Sequence, residues 1–464
     1  MKPLLLLAFY IATLPARATL VLAAPFRDGA VLQRGKPVPV WGKAEPGESI
    51  KVEFKGQAHA ATADAQGLWA TSLGPLEGSD APASLVVSGK ETVTIKDVLV
   101  GEVWLCSGQS NMHLAVREAD HAKEEIAEAK HPLIRQFLVE GAVSEQPQAF
   151  TEGKWQACSP ETVGNFTAVG YFLAREIHSA LKVPVGIIHA TLGGSPVEGW
   201  ISREALAGNP AFGVVAERWK LLRPRVSGKG LRNMPSGLYN GLIHPLEPFA
   251  LAGFAWYQGE GNRERPAEYA ALFTTMIRQW RAAFQQGDLP FMFVQLPNFA
   301  EPTDKTRESW PLIREAQASA LALPNTGMAV TLDVGDPAQL HPGNKQDVGM
   351  RLASVALAQV YSRAVEHSGP GFEDARAEGA AMRVRFHHAA GLVFKGDPKE
   401  AFEVAGTDGK YVAAEARIDG ETVVVSASGL DKPEFVRFEW KNAPTAWLFN
   451  AAGLPAAPFR TDHH

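Results

Sequence analysis

The sequence predicts an α/β fold: a parallel-sheet core with one β-rich region before it and another after it. Three observations predict it. At 464 residues the chain is too long for one ordinary domain. Its hydrophobic rhythm changes twice, near residue 98 and again near residue 361. Between those points short apolar runs alternate with stretches of helical spacing, which is how strands buried on both faces and covered by helices read.

The elements follow in order. The opening "MKPLLLLAFYIATLPARATL" carries Lys2, an apolar run from Leu4 to Leu14 and then Ala16-Arg17-Ala18. This is a secretory signal pattern at 1–18, cut after Ala18, so the mature protein is expected to be exported, periplasmic or secreted. The run is too short to cross a bilayer, and no later segment is longer, so no membrane span is expected in the mature protein. Residues 19–98 alternate apolar and polar in short runs such as "PVPVWGKA", "SIKVEF" and "SLVVSG", with turn residues between them. That spacing predicts a β-sandwich domain.

The α/β domain is expected over 99–361. Its strands are read at 102–106, 133–139, 185–190, 252–258, 291–296 and 328–333. Helices are read in "TAVGYFLAREIHSAL", "PAEYAALFTTMIRQWRAAF" and "LIREAQASALAL". In the second, Tyr269, Leu272, Met276 and Trp280 recur at helical spacing and are expected to face a core. Residues 362–464 return to alternation, with Thr407-Asp408-Gly409 and Asp419-Gly420 as turns, and predict a C-terminal β-rich region packed on the α/β core.

Composition narrows the function. Hydrophobic residues make up 46% and charged ones 20%, a globular balance without signs of disorder. A formal charge of −5 argues against nucleic acid as a partner, and no Lys/Arg run suggests a membrane surface. Cys106 and Cys158 are the two cysteines. A single bridge between them is conceivable in an oxidising compartment, but Cys106, at a strand end, reads better as a small buried apolar residue. No closely spaced His/Cys/Asp set indicates a metal. The sequence leaves the oligomeric state open.

Chemistry concentrates where the strands end. Ser107-Gly108-Gln109-Ser110-Asn111, Leu192-Gly193-Gly194-Ser195, Gln258-Gly259-Glu260-Gly261-Asn262 and Asp333-Val334-Gly335-Asp336, with His341 beyond, all follow strands. In a parallel sheet such loops gather along one edge, where ligands bind. Together they supply a hydroxyl, an imidazole, carboxylates and amide donors. A serine hydroxyl needs a base to take its proton, and that histidine needs an acid to hold its tautomer. The oxygen that becomes negative needs donors already in place. Ser110 is therefore read as nucleophile and His341 as base. Backbone N–H groups of Ser110 and Gly194, with a side-chain amide from Gln258 or Asn262, are read as the oxyanion hole. No Gly-x-Ser-x-Gly elbow surrounds Ser110, which argues against an ordinary α/β-hydrolase.

Four ordered blocks resemble the SGNH hydrolases, and within them the sialate O-acetylesterase-like carbohydrate esterases. "GEVWLCSGQSNM" is similar to the nucleophile block, "ATLGGSPVEGW" to the glycine block, "LYNGLIHPLEPFALAGFAWYQGEGN" to the third block and "DVGDPAQLHPGNKQDVGMRLA" to the histidine block. The ending "LPAAPFRTD" also matches family endings. The resemblance implies an SGNH (flavodoxin-like) core and a cofactor-free serine esterase. Such an enzyme removes O-acetyl groups from sialic acid (9-O-acetyl or similar) or, alternatively, from a plant polysaccharide such as xylan or xyloglucan.

The chain departs from the family in three places. Ala338 stands three residues before the histidine, where many relatives have the acid, so Asp336 is expected in that role, with Asp333 and Glu260 as alternatives. The stretch 201–238 reads as only a short helix and loop, where many relatives carry an inserted β-domain. Gly261 replaces a common serine.

Other residues have competing readings. Ser107 is expected to cap or hydrogen-bond locally, and His189 and His244 to be structural or substrate-facing. Glu260 paired with Asp333 or Asp336 is also what a glycosidase would need, but such an enzyme has no use for Ser110 and His341. Loss of the hydrolase site would leave a carbohydrate-binding protein. Trp200, Trp256, Tyr257 and Trp310 suit a sugar cleft or a core, while Arg263 and Arg265 suit a substrate carboxylate or plain solvation. Asn165-Phe166-Thr167 is a glycosylation sequon that matters only in a eukaryotic secretory host.

Overall fold

The computed structural model describes residues 20–445 and 447–462. The leader expected at 1–18 lies outside them, as do the last two histidines. Five parallel strands form the centre: β1 (Thr92–Gly108), β2 (Val185–Thr191), β3 (Gly253–Tyr257), β4 (Phe291–Val294) and β5 (Thr326–Ala329). They lie side by side in the order β2-β1-β3-β4-β5. Ile134–Val139 adds in parallel outside β2, and Gly153–Ala157 closes that edge antiparallel. The connections reverse direction between β1 and β3, and a crevice at such a point is where open α/β sheets bind ligands.

The strands end earlier than alternation suggested on one side of the sheet. Beyond Val294, the Leu296 N–H turns to the Gln317 side chain. Past Ala329, Asp333 stands four residues beyond the last ladder residue rather than at a strand end. The segment 201–238 is also more helical than expected, with Arg203–Ala207, Gly213–Leu222 and three 3₁₀ turns, Pro210–Phe212, Arg223–Arg225 and Gly228–Asn233.

Helices α1 (Ala168–Leu181), α2 (Pro266–Phe284), α3 (Ser309–Ala318) and α4 (Gln346–Gln359) cover the sheet. Proline at the first position of α2 costs nothing, because that N–H has no helical acceptor. Tyr269, Leu272, Met276 and Trp280 are all fully buried along one face of α2. Helices α1 and α4 touch closely at Gly349, where a Cβ would stand 2.5 Å from Phe172 Cβ.

One strand joins two architectures. The 17-residue β1 runs through the boundary expected at 98/99. Its first half pairs antiparallel with Ser79–Ser88 and parallel with Val31–Gln33, while its second half is the middle of the α/β sheet. Val21–Leu22, Val38–Lys43 and Leu68–Leu73 form a separate three-stranded sheet. Apolar residues from both N-terminal sheets merge with the α/β interior in one cluster.

The C-terminal region has its own core, built from Met382, Val384, Phe402, Val423, Val436 and Phe438 among others. It is fastened to α3 by Arg314, whose fully buried guanidinium donates to the carbonyls of Leu296, Pro297, Lys441 and Asn442. Arg460 adds a two-pronged pair with Glu315 on the same helix.

Arg314→Leu keeps the volume apolar but leaves four buried carbonyls without donors. A loss of roughly 3 kcal/mol or more is expected, from about 1 kcal/mol per orphaned acceptor. Thermal unfolding followed by circular dichroism should show the midpoint several degrees lower. An unchanged midpoint would mean that other contacts hold the C-terminal region to α3.

Candidate active site

The end of β1 is shaped by how close β3 lies. Gly108 has φ +135°, and a Cβ there would stand 2.2 Å from the Tyr257 carbonyl oxygen, so only glycine allows this approach. The Gln109 N–H then donates to that same carbonyl, and the Gln109 side chain accepts from the Gly261 N–H. The chain leaves the sheet at this point into the short helix Ser110–His113.

Ser110 Oγ lies 2.7 Å from His341 Nε2, across 231 residues of chain. The two residues therefore meet as a nucleophile and base must. Burial and the Lys345 cation hold the His341 pKa below the usual histidine range, and the Glu118 carboxylate offsets this in part. The ring is thus neutral and able to accept a proton at pH 7. Ser110 is half-buried, His341 is exposed, and a cavity of about 480 Å³ around Phe212, Trp219 and Met234 lies elsewhere.

None of the three expected acids touches His341. Asp336 spends its carboxylate on its own turn, accepting from the Ala338 N–H and the Gln339 side chain, both at 2.8 Å. Asp333 forms a two-pronged pair with Arg351 at 2.6 and 2.8 Å. Glu260 is buried beneath the nucleophile turn and accepts from Asn111 Nδ2 at 2.6 Å. Among the described residues no carboxylate hydrogen-bonds to the imidazole, so the geometry is that of a Ser–His pair. A sequence reading ranks acids by distance along the chain, and these loops curl their carboxylates away.

The sequence reading missed the residues that join the loops. The Asn111 amide is fully buried and donates to Glu260 Oε1 and to the Leu340 carbonyl, while its oxygen accepts from Lys345 Nζ at 2.7 Å. Lys345 is wholly buried, 5.4 Å from the centre of the Tyr257 ring, and desolvation lowers its pKa to about 8. Glu260 is pushed the opposite way, its pKa raised by burial, and its second oxygen has no partner. A polar pair inside "QSNM" and a lysine four residues after His341 were the available signals.

The glycine turn lies beside Ser110. A Cβ on Gly193 would be 3.6 Å from Ser110 Cβ, and Gly194 takes φ +68°. Neither the Ser110 nor the Gly194 N–H is used in the loops' own backbone bonding. The expected amide donors are committed elsewhere. Gln258 Nε2 donates to the Ser195 carbonyl and to Asn262 Oδ1, and Asn262 donates to Glu198. Both side chains are fully buried and brace the turn from beneath.

The substrate-facing candidates move inward too. Trp200, Trp256, Tyr257 and Trp310 are at most 1% exposed, so they are core residues rather than sugar platforms. Arg263 pairs with Glu301, and Arg265 with Glu198, both at 3.0 Å. Ser107 lies inside β1 with its hydroxyl unpartnered rather than capping. His189 is buried and bonded to Thr191, its pKa lowered to about 3 by burial and by His113; His244 bonds to the Gln148 carbonyl. Cys106 and Cys158 are free and buried, their pKa values raised to about 12 and 11 by desolvation. Among the described residues no group of three or more His, Cys, Asp or Glu could hold a metal ion, and no helix is long and apolar enough to cross a membrane.

Comparison with known proteins adds a second line of observation. Residues 100–358 match the family model of carbohydrate esterases described as sialic acid-specific acetylesterase. The crystal structure of a carbohydrate acetylesterase from Xanthomonas citri is 39% identical, with a TM-score of 0.89 over 96% of this chain and 100% of that one. Sialate O-acetylesterase of Rattus norvegicus is 33% identical over 322 residues, 58% of each chain. That of Homo sapiens is 29% identical over 365 residues, 69% of this chain and 67% of the human one. The chain thus spans less than two thirds of the rat protein's length.

The electrostatics predict a pH profile. As a base His341 would have to be neutral, so the acid limb of kcat/KM should lie below the usual histidine range, where pH drops through its lowered pKa. Lys345→Met removes the neighbouring cation that disfavours the imidazolium, so the acid limb should move to higher pH. A limb that stays in place would show that burial alone sets the His341 pKa.

Proposed function

The chain belongs to the sialic acid-specific acetylesterase family of carbohydrate esterases, and from that premise we propose that it is an exported serine O-acetylesterase of the SGNH type. The observation that carries the serine mechanism is the 2.7 Å contact between Ser110 Oγ and His341 Nε2. The expectation of export rests on the leader pattern at 1–18.

Ser110 Oγ attacks the acetyl carbonyl carbon while His341 Nε2 takes the hydroxyl proton. The carbonyl oxygen becomes an oxyanion and is met by the N–H groups of Ser110 and Gly194, each such donor contributing roughly 3 kcal/mol to the barrier reduction. Collapse breaks the bond to the sugar oxygen, and the His341 proton passes to that oxygen. Water then enters, loses a proton to the same imidazole and attacks the acetyl-serine, releasing acetate and restoring Ser110. No cofactor enters the scheme.

The geometry supports a version of this mechanism without a carboxylate directly on the histidine. Lys345 disfavours the imidazolium and Glu118 favours it. The ring is therefore a weaker base whose neutral form is favoured. The half-exposed pair suits an ester carried on a larger sugar, since only the acetyl group must reach the nucleophile.

Acetate release by the purified mature protein tests this, using O-acetylated sialic acid and acetylated xylo-oligosaccharides as substrates. Wild type should release acetate from at least one of them. Ser110→Ala should lose activity by a factor of at least about 10³, the scale seen when a nucleophile is removed. Equal activity of the alanine variant would overturn the nucleophile. Reducing sugar released by Ser110→Ala would instead favour a glycosidase built on Glu260.

A further inference from the structure

We infer that His113 binds the sugar: its Nε2–H donates to an oxygen of the acetylated carbohydrate, from a ring whose orientation and tautomer Thr191 and His189 set. This rests on the esterase reading above and names a residue that reads the sugar rather than the acetyl group.

The aromatic and amide side chains expected to hold a sugar are spent elsewhere. Trp200, Trp256, Tyr257 and Trp310 are core residues, and Gln258 and Asn262 brace the glycine turn from beneath. His113, by contrast, is exposed and stands three residues after Ser110 in the same helical turn. Residues so spaced are neighbours on one face, about 5–6 Å apart at Cβ. Thr191, the last residue of β2, pairs in register with Gly108, where the chain is about to leave the sheet for that turn. Two residues after Thr191, Gly193 comes against Ser110. His113, Ser110 and the glycine turn therefore share one rim of the site.

A chain of hydrogen bonds fixes the His113 ring. His189 Nε2 lies 2.8 Å from Thr191 Oγ1, and that oxygen lies 2.8 Å from His113 Nδ1. His189 is buried and its Nδ1 has no partner. A proton on Nδ1 would be a buried donor left unsatisfied, so the neutral ring carries it on Nε2 and donates it to Thr191. Thr191 has one proton of its own to give, and it goes to His113 Nδ1. The neutral His113 ring then holds its proton on Nε2, which has no hydrogen-bond partner among the described residues. An uncharged N–H donor at the rim suits a hydroxyl or ring oxygen. Packing alone gives no reason for the relay: valine at 191 and an apolar residue at 189 would fill the same space without an orphaned nitrogen.

Kinetics on two kinds of ester test the assignment. The first is the better wild-type substrate of O-acetylated sialic acid and acetylated xylo-oligosaccharides; the second is p-nitrophenyl acetate, which has no sugar oxygens. The measured quantity is the ratio of kcat/KM on the sugar ester to that on p-nitrophenyl acetate. His113→Phe should lower this ratio roughly 5- to 10-fold, mostly through KM, the scale of one neutral hydrogen bond. His113→Gln, which keeps a donor at similar reach, should recover part of it. Thr191→Val should give a smaller fall and add nothing in the His113→Phe background, as expected of a residue that acts only by positioning the ring. In nitrogen NMR of histidine-labelled protein at about pH 8, the ring signal lost in His113→Phe should show the Nε2–H tautomer.

An unchanged ratio in His113→Phe overturns the proposal while leaving the esterase reading intact, because both esters then report the same chemistry. An Nδ1–H tautomer, or a full additional loss from Thr191→Val in the His113→Phe background, overturns the relay that the proposal depends on. Wild-type turnover of p-nitrophenyl acetate without turnover of either sugar ester also overturns it. Inactivity of wild type toward every ester would remove both readings together.

Discussion

The side chain of Asn111 holds the site together. It is fully buried and makes three hydrogen bonds, to Glu260 after β3, to the Leu340 carbonyl beside His341 and to Lys345 at the start of α4. Asn111 is also the residue next to Ser110, so one amide places Ser110 relative to two distant loops. The Ser110–His341 contact depends on this, because the histidine loop leaves the ladder well before His341 and has no strand to hold it. An amide is suited to the position: it presents a donor to a carboxylate and an acceptor to an ammonium without a charge of its own.

That arrangement places opposite charges in a dry interior and separates them by a neutral dipole. Glu260 and Lys345 each pay desolvation, and their pKa values move toward each other. Lone burial of either would cost more than a surface pair returns, which is why both lean on the same amide. Burial, with the Lys345 cation second, lowers the His341 pKa. The missing carboxylate partner of His341 and the buried lysine act in the same direction: both favour a neutral ring.

Much of this was legible in the sequence, and the limit has a physical form. Near-continuous apolar runs marked the parallel strands, and the register of Tyr269, Leu272, Met276 and Trp280 along α2 was read in full, because burial imposes a period. Ser110, His341 and Gly194 were legible because strand ends must turn, and the turns carried unusual chemistry. What escaped was direction. Gln258 and Asn262 were visible as amides, but whether an amide points into the cleft or under it depends on partners such as Ser195 and Glu198. Asp336 was near enough in sequence and was claimed by Gln339 instead. Arg263 and Arg265 looked available because Glu301 and Glu198 reach them only through the fold.

The shared strand β1 has a consequence for the order in which the molecule can be assembled. Its antiparallel partner Ser79–Ser88 precedes it in the chain, while β2 and β3, which flank its second half, follow it by many tens of residues. A ribosome therefore releases the first half of β1 with its mate already made and the second half with none. The early hairpin is a local contact and closes cheaply, whereas the later pairings require long loops. The N-terminal strands are in this respect a template: they hold the central strand extended until the rest of the sheet is synthesised. The stretch that will end in Ser110 is thus anchored at one end before any other part of the candidate site exists.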